Sequence, residues 1–211
     1  MRMAYDSGVL SLDGFTHELN LLSPDLPVAV AMIDLDGFGP LNETEGTVAG
    51  DAVLASFERL LGSSLPPGAL VAHVRGDEFA AALPDTACEE ALLALEAVRS
   101  EFGGREPAPG VKGRLSVSMG IAGRPAHGST AEELLEAADA ALVRAKRSGG
   151  NRIAIHVEER MILKSSYYSR PSLHRLAKLS RRSGRPEASL LREALDEYLA
   201  RHQDAGDRDA G

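Results

Sequence analysis

Residues 69–83 read ALVAHVRGDEFAAAL, in which two short apolar runs flank the polar sequence RGDE at residues 75–78. This layout is typical of a β-hairpin, and it places two adjacent carboxylates at the hairpin tip. Upstream, the apolar residues 29–33 indicate a buried strand that ends in Asp34-Leu35-Asp36. Two strand ends that both present carboxylates predict a site for a hard cation. Taken alone, the same residues also fit an ordinary acidic turn.

Three further stretches follow the spacing of one known family. They are DLDGFGPLNETEGTVAGDAVL from Asp34, SVSMGIA at 116–122 and ADAALVRAKRSGGNR at 138–152. Together with the hairpin, they closely resemble the diguanylate cyclase (GGDEF) domain family over roughly residues 28–156. The tripeptide RGD at residues 75–77 also matches an extracellular adhesion signal, but nothing else in the chain supports that interpretation.

Hydrophobic periodicity predicts strands alternating with helices. Helices are expected at about 47–62, 87–102 and 131–148, and further strands at 115–119 and 152–155. The order β-α-β-β-α-β-α-β predicts an α/β domain. The resemblance implies a palm-like GGDEF fold of the α+β type, with a central, mostly antiparallel sheet and flanking helices. We expect this domain to cover residues 1–159.

Composition is that of an ordinary globular protein. The 211 residues, 44% of them hydrophobic, suffice for one domain of usual size and a smaller one. The single cysteine, Cys88, excludes an intramolecular disulfide and favours a reducing compartment. No apolar run approaches the length of a membrane span, and the N-terminus lacks the apolar core of a signal peptide. We therefore expect a soluble cytoplasmic protein without a membrane partner.

Charge is distributed unevenly along the chain. Residues 1–159 carry 12 Lys and Arg against 24 Asp and Glu, whereas residues 160–211 carry 11 against 7. An acidic body joined to a basic segment predicts a module that binds a polyanion, although charge alone is also typical of a solvated helix face. Residues 203–211 contain three aspartates and are expected to form a disordered acidic tail.

Residues 160–202 have the predicted order strand, helix, glycine, helix. The strand is expected from Met161 to Tyr168, and the helices at 171–183 and 186–201. The stretch GRPEASLLREALDEYL from Gly184 resembles the second helix of ribbon-helix-helix DNA-binding domains. About 40 residues bury too small a core to fold alone, so the resemblance implies an intertwined homodimer. A helical hairpin that only dimerises is the alternative.

The resemblance to diguanylate cyclases implies that two GTP molecules are joined into cyclic di-GMP with the help of Mg²⁺ or Mn²⁺. The implied metal ligands are Asp34, the carbonyl of Leu35 and Asp77, all oxygen donors of the kind that Mg²⁺ prefers. Asp77 is also the implied catalytic carboxylate, and Glu78 is its neighbour in metal or proton handling. Gly76 suits a close approach of the backbone to the nucleotide at the turn.

The resemblance assigns guanine recognition to Asn42 and Asp51. A carboxylate matches the adjacent N1–H and N2 amine of guanine, a pair of donors that adenine lacks, so Asp51 favours GTP over ATP. Without the motif, Asp51 would be interpreted as an acidic residue near the start of a helix, where its charge interacts favourably with the helix dipole. Residues from Phe38 onward are implied to present backbone N–H groups to the phosphates. Lys146 and Arg152 match phosphate-contacting positions of the family.

The chain departs from the family pattern at peripheral positions. Gly39 stands in place of the usual lysine, and Thr47 in place of a histidine. His73 replaces an arginine, and Arg75 replaces the first glycine of the hairpin motif. The product-inhibition motif R-x-x-D is replaced by PPGA at residues 66–69, so feedback by cyclic di-GMP is not expected there.

In ribbon-helix-helix proteins, a two-stranded ribbon with one strand from each chain enters the major groove of DNA. Ser165 and Tyr167 are the expected readers of base edges, and Lys164 takes their place if the register shifts by one residue. Arg181 and Arg182 are expected to contact phosphates.

The favoured hypothesis combines the two resemblances in a cytoplasmic homodimer. Its GGDEF domain binds GTP and makes cyclic di-GMP, and its C-terminal domain binds duplex DNA on the nucleoid to regulate transcription. One alternative is a degenerate GGDEF domain that only senses a nucleotide, and another is an enzyme that the C-terminal unit merely dimerises. The intact acidic positions favour the enzyme, whereas Gly39 and His73 favour the sensor.

Overall fold

The chain divides into two compact units, residues 1–159 and 160–211. The structure, a computed structural model, describes residues 8–157 and 168–206. Across these two ranges, none of the helices combines the length and the apolar character needed to cross a membrane.

The larger unit is built on a mixed sheet of six strands. The strands are β1 (Leu10–Ser11), β2 (Val28–Asp36), β3 (Leu70–Arg75), β4 (Glu78–Pro84), β5 (Ser116–Arg124) and β6 (Ile153–Ile155). Their order across the sheet is β1-β3-β4-β2-β5-β6. The three central pairs are antiparallel and the two outer pairs are parallel. β2 therefore lies in the middle of the sheet, hydrogen-bonded on both sides.

β2 is apolar on both faces from Val28 to Ile33, before it ends in Asp34, Leu35 and Asp36. Residues 28–33 are all buried, and alternate residues join two separate hydrophobic clusters, one on each face of the sheet. Successive side chains of a strand point to opposite faces, so a strand that is apolar at every position must be covered on both.

Five helices supply this cover. They are α1 (Leu12–Leu21), α2 (Phe38–Glu45), α3 (Thr47–Ser64), α4 (Cys88–Gly104) and α5 (Ala131–Arg147). Side chains of α1 and α5 fill the cluster on one face, and side chains of α2, α3 and α4 fill the cluster on the other. On the second face, Phe57 makes edge-to-face contacts with Phe79 and Phe102, at ring-centroid distances of 5.2 and 4.8 Å. These contacts connect α3 with β4 and α4.

The strand register places the polar end of β2 between two other strand ends. Asp34 pairs with Glu78 of β4 on one side and with Ser118 of β5 on the other. Because β3 and β4 form the expected hairpin, the carboxylates at its tip lie beside the carboxyl end of β2.

The elements differ from the sequence expectation mainly at their ends. α2 was not expected, because its eight residues include Gly39 and Pro40 and are too few for a clear helical period. β5 continues through Arg124 instead of ending at residue 119, since its later residues remain buried beside β2. β1 is a two-residue strand that periodicity does not reveal.

The smaller unit, as far as the structure describes it, is a pair of helices. α6 (Arg170–Ser183) begins at Ser169, whose hydroxyl accepts a hydrogen bond from the amide of Ser172 at 3.2 Å. It ends at Gly184, which has a positive φ of 68°. Most of the expected strand, including Lys164, Ser165 and Tyr167, lies outside the described residues.

α7 (Glu187–Gly206) is longer than the sequence predicted. It continues through residues 203–206, which were expected to belong to the acidic tail. The helix extends because neither glycine nor proline interrupts it before Gly206.

Gly120 of β5 gives a direct test of how closely the sheet packs on α5. A Cβ atom at this position would lie 2.1 Å from the Ala138 oxygen and 2.1 Å from the Leu142 nitrogen, both backbone atoms. We expect Gly120→Ala to lower the free energy of unfolding by about 3 kcal/mol or more, because neither the strand nor the helix can move aside cheaply. Chemical denaturation monitored by circular dichroism measures the change.

The matched control is Gly62→Ala on α3, where an added Cβ meets no atom within 4 Å. This change should leave stability unchanged or raise it by about 0.5–1 kcal/mol, since alanine favours a helix. Equal stability of the two variants would contradict the close packing of β5 on α5.

Candidate functional site

A pocket of about 540 Å³ lies at the carboxyl end of β2. It is lined by Asp34, Leu35, Asp36, Gly37, Phe38, Gly39, Asp77, Ser116, Lys146, Gly149 and Gly150. These residues come from the end of β2 with the start of α2, the hairpin tip, the start of β5, and the end of α5 with the loop that follows it. The fold thus brings together four chain segments that are far apart in sequence.

Two carboxylates enter the pocket from neighbouring strand ends. Asp34 is buried near the end of β2, and Asp77 is half-buried in the turn between β3 and β4. The amide of Leu35 donates a hydrogen bond to the Asp77 carbonyl at 3.3 Å, so the backbone ties the hairpin tip to β2. Gly76 precedes Asp77 with a φ of 51°, a conformation that glycine adopts without strain. The turn therefore needs glycine at this position.

Lys146 neutralises the buried carboxylate. Its Nζ lies 2.5 Å from Oδ2 of Asp34. Burial raises the pKa of Asp34, and the negative charges of Asp77 and Asp36 act in the same direction, whereas the hydrogen bond and charge of Lys146 oppose the rise. The site thus concentrates negative charge that a cation must balance, and Lys146 supplies part of that balance.

The donor atoms fit a magnesium or manganese ion. Asp34, the carbonyl of Leu35 and Asp77 all line the pocket and all offer oxygen. The described residues include no group of three or more His, Cys, Asp or Glu side chains arranged to hold a metal. Mg²⁺ commonly takes one or two carboxylates and completes its shell with water and substrate phosphates, so two carboxylates and a carbonyl suit a metal that binds with a phosphorylated ligand.

The first turn of α2 offers backbone donors to an anion. Gly37 precedes the helix with a φ of 83°, and no side chain caps the helix start. Phe38 and Gly39 line the pocket, and their amides belong to the first turn, where N–H groups have no partner within the helix. A side chain at residue 39 would meet no atom within 4 Å, so the fold does not exclude the lysine usual in relatives; glycine leaves the amides open instead.

Asn42 and Asp51 do not line this pocket, but the structure brings them near each other. Asn42 lies on α2, and a Cβ atom on Gly50 of α3 would be 1.9 Å from its Oδ1. The Asn42 amide therefore packs directly on the residue before Asp51, whose side chain is exposed. Among the described residues, the buried Oδ1 of Asn42 has no hydrogen-bond partner. An unsatisfied buried acceptor is costly, which is consistent with a ligand that supplies the missing contact.

Two other predicted residues, Glu78 and Arg152, do not line the pocket, and each hydrogen-bonds a residue two or three positions away in sequence. Glu78 accepts hydrogen bonds from Arg75 at 2.9 and 3.2 Å, across the base of the hairpin turn. Arg152 donates from Nε to the carbonyl of Gly150 at 3.1 Å. Their assignments to metal handling and phosphate binding stay predictions.

His73 also lies away from the pocket. Its Nε2 is 2.9 Å from the Gly76 carbonyl, and its Nδ1 is 3.3 Å from a carboxylate oxygen of Glu58. The ring stacks on Phe79 with a centroid distance of 4.7 Å. His73 thus braces the hairpin turn and does not line the pocket.

Sequence reasoning did not assign a role to Asp36, Ser116 or the glycines at 149–150, all of which line the pocket. Asp36 is the second carboxylate of the sequence Asp-Leu-Asp. The resemblance assigned only Asp34 of this pair to the metal, although residues two apart in a strand lie on the same face. Its repeated acidic spacing was the one available signal.

Comparison with known proteins identifies the family of this fold. The profile described as "Diguanylate cyclase, GGDEF domain" matches residues 11–152. The response regulator PleD of Caulobacter vibrioides is 35% identical over 131 residues, which cover 60% of this chain and 29% of PleD. The chain spans about a third or less of the length of the curated relatives that it matches.

Solved structures show the same fold. The GGDEF domain of DgcB from Caulobacter crescentus, determined in complex with c-di-GMP, is 29% identical with a TM-score of 0.64, covering 70% of this chain and 91% of that one. The GGDEF domain of PA1120 (YfiN or TpbB) from Pseudomonas aeruginosa is 28% identical with a TM-score of 0.67, covering 72% and 98%. Both likenesses concern the larger unit, which carries the pocket.

The ion pair of Lys146 predicts that the lysine competes with a divalent cation for Asp34. We expect Lys146→Gln to tighten Mn²⁺ binding in the absence of nucleotide by about five- to tenfold, because Asp34 loses its competing positive charge. Titration of Mn²⁺ followed by electron paramagnetic resonance measures the free ion directly.

Arg147→Gln is the matched control, since it removes the same charge from the next position of α5 and Arg147 does not line the pocket. It should change Mn²⁺ affinity less than twofold, as screening by solvent weakens an exposed charge. An equal gain in both variants would mean that net charge alone, and not the contact with Asp34, sets the affinity.

Proposed function

This chain belongs to the diguanylate cyclase (GGDEF) domain family, and we propose that it condenses two GTP molecules into cyclic di-GMP with release of two pyrophosphates. The observation that carries the proposal is the presence of Asp34 and Asp77 in one pocket, together with Lys146 and the first turn of α2. Carboxylates that hold a metal, together with donors for phosphate, are the parts that phosphoryl transfer requires.

The proposed reaction consists of the same bond exchange carried out twice. The 3′-oxygen of one GTP bonds to the α-phosphorus of the other, the bond to pyrophosphate breaks, and the hydroxyl proton leaves. The same step with the roles exchanged closes the ring. Catalysis of this kind depends mainly on positioning and on balancing the charge of the phosphates.

We assign Asp34, the Leu35 carbonyl and Asp77 to Mg²⁺ or Mn²⁺. When bound, the metal polarises the phosphates, assists deprotonation of the hydroxyl and offsets the charge of the leaving pyrophosphate. Asp77 is less buried than Asp34 and lies at the hairpin tip, where an incoming 3′-hydroxyl can reach it. This position supports Asp77 as the catalytic carboxylate.

The remaining residues would bind the nucleotide. Phe38, Gly39 and Lys146 line the pocket, and the amides of the first two and the ammonium of the third would supply the positive charge that phosphates need. Asn42 and Asp51 would hold guanine, since a carboxylate accepts from N1–H and the N2 amine together. The buried, unsatisfied oxygen of Asn42 supports this assignment.

We propose that the usual product inhibition does not operate in this chain. Residues 66–69 form a turn in which the Ala69 amide donates to the Pro66 carbonyl at 3.1 Å, and Gly68 has a φ of 89°. The turn has no charged side chain to bind the phosphates of cyclic di-GMP. Inhibition by cyclic di-GMP bound at this turn therefore lacks the charged side chains that it would need.

A second candidate is a nucleotide sensor without turnover. It is favoured by His73, which contacts Glu58 and the Gly76 carbonyl and leaves the pocket without the family's arginine. Such a protein would bind GTP through Asp51 and the α2 amides but make no cyclic di-GMP. The assay that tests the first proposal also decides between the two.

Asp77→Ala should abolish the formation of cyclic di-GMP from GTP and Mg²⁺, with a loss of at least about a thousandfold, because it removes a ligand of the metal. Chromatography of the reaction products measures the loss, and circular dichroism checks that the variant is folded. Asp25→Ala removes the same charge at an exposed position outside the pocket and should retain full activity. Undiminished synthesis by Asp77→Ala would exclude the assigned site, and absence of synthesis by the unmodified protein that still binds GTP would favour the sensor.

We also propose that the smaller unit binds duplex DNA as part of a homodimer. α6 carries five Lys or Arg side chains and no carboxylate, a composition suited to a polyanion. Arg181 and Arg182 are exposed, and no ion pair involves either of them among the described residues. The helix, glycine, helix order at Gly184 agrees with a ribbon-helix-helix domain.

Exposed apolar side chains support the homodimer. Leu173, Leu179, Leu195 and Leu199 are between 43 and 57% exposed, and no residue of α6 is buried. Two helices with so small a core gain stability by covering these side chains with a second copy. A dimer also suits cyclisation, which needs two GTP-loaded pockets to face each other.

The double variant Arg181→Ala, Arg182→Ala should weaken DNA binding by the full chain and lower the slope of log affinity against log salt by about 2 per chain, since two phosphate contacts are lost. Fluorescence anisotropy across a salt series measures both quantities. Lys112→Ala, Arg114→Ala removes two exposed cations from the larger unit and should leave the slope unchanged. If the unmodified chain dimerises but ignores DNA at low salt, the smaller unit only dimerises.

A further inference from the structure

The carboxylate of Asp36 is the centre of a hydrogen-bond network that reaches from the pocket to α4. Its Oδ1 accepts from the Ser118 hydroxyl at 2.7 Å, and its Oδ2 accepts from the Ser116 hydroxyl at 2.9 Å. Oδ2 also accepts from the amide of Asn151 at 2.9 Å. Three donors from β5 and from the loop after α5 thus converge on the last residue of β2.

The loop after α5 lies directly on this carboxylate. A Cβ atom on Gly150 would be 3.2 Å from Oδ1 of Asp36, and Gly150 has a φ of 69°. The Gly150 amide donates to the Ala145 carbonyl at 3.2 Å, and the Gly149 amide donates to the Lys146 carbonyl at 3.0 Å. The loop is therefore joined at one end to Asp36 and at the other to the helix turn that carries Lys146.

A second set of contacts holds the same loop from outside the pocket. Arg99 of α4 donates from Nη1 to Oδ1 of Asn151 at 2.6 Å and to the Asn151 carbonyl at 3.3 Å. Glu96 fixes the Arg99 guanidinium through hydrogen bonds of 2.5 and 2.7 Å, which lower the pKa of Glu96. Asn151 itself has a φ of 49°, a conformation that an asparagine tolerates better than most residues. Asn151 is thus held between Asp36 and Arg99.

We propose that Asp36 and Arg99 are positioning residues that fix the loop 148–151, and with it Lys146, as the phosphate-side wall of the pocket. The inference rests on the proposed function, because it takes the ligand of this wall to be a nucleotide phosphate. Asp36 acts through Asn151 and the glycines, and Arg99 acts through Asn151 from a position that does not line the pocket.

The hydrogen bonds separate this role from that of a metal ligand. A carboxylate has about four lone-pair positions, and three of those on Asp36 are taken by protein donors. Among the described residues, Asp34 has one charged side-chain partner, the ammonium of Lys146, and a cation can displace it. Asp36 therefore holds the loop 148–151 through its hydrogen bonds, whereas the carboxylate of Asp34 can still bind a cation.

Arg99→Ala tests the proposal without touching the pocket. We expect the amide of Asn151 to exchange with deuterium about tenfold faster, because the loop loses its outer support. Binding of a non-hydrolysable GTP analogue, measured by calorimetry, should weaken about three- to tenfold, and KM for GTP should rise while kcat changes less than twofold. Arg105→Ala removes a surface arginine that directly follows α4 and pairs with Glu101 of that helix at 3.0 Å, and it should change none of these quantities.

Asp36→Asn supplies a second test that keeps the size of the side chain. It should accelerate amide exchange at Asn151 and weaken binding of the GTP analogue. The reason is that the side-chain nitrogen of the new asparagine cannot accept the hydrogen bond that one of the present donors makes to Asp36. Unchanged amide exchange at Asn151 in both folded variants would overturn the proposal. It would also be overturned if Asp36→Asn lost Mn²⁺ binding while exchange at Asn151 stayed normal, because Asp36 would then be a metal ligand. Exchange and analogue binding need no turnover. If the unmodified chain makes no cyclic di-GMP but both quantities change as expected, the positioning role stands and only the cyclase proposal fails.

Discussion

The burial of β2 between β4 and β5 is the constraint on which the site depends. Residues 28–33 are apolar on both faces and fix the register of the strand, because a slip by one residue would exchange the two core faces and unpack both helix layers. With that register, Asp34 must lie between the hairpin tip and Ser118. A hydrophobic core therefore determines the position of a polar site whose own charges would repel each other.

The repulsion is balanced by cations and donors from the other elements. Asp34 faces Lys146, and Asp36 is satisfied by two hydroxyls and an amide. Asp77 lies in the hairpin turn, where the structure gives its side chain neither a cation partner nor a set of donors like that of Asp36 among the described residues. These different surroundings are the basis on which we propose different roles for the three carboxylates: Asp36 in holding the loop 148–151, Asp34 in binding a cation, and Asp77 in meeting the reacting groups.

The departures from the family pattern change the contacts at the edge of the site and leave its centre intact. His73 braces the hairpin through the Gly76 carbonyl, so it replaces a charged contact with a structural one. Gly39 removes a side chain at the start of α2 but keeps the amides that an anion needs. Under the proposed function, phosphate binding would depend mainly on Lys146 and on the amides of α2, and the loop that we propose to position Lys146 would matter correspondingly more.

Local signals in the sequence suffice to predict several elements. The apolar run of β2, the hairpin around Gly76 and the helix expected at about 131–148 follow from side-chain period and turn chemistry, and the structure confirms all three. α2, the extent of β5 and the length of α7 escaped prediction, because short helices and element ends carry little periodic signal. Three contacts are visible only in the folded structure: Asn151 donates to Asp36, Arg99 donates to Asn151, and Lys146 pairs with Asp34. Those contacts join residues about 50 to 115 positions apart, and sheet order and helix packing, which no local pattern records, bring them together.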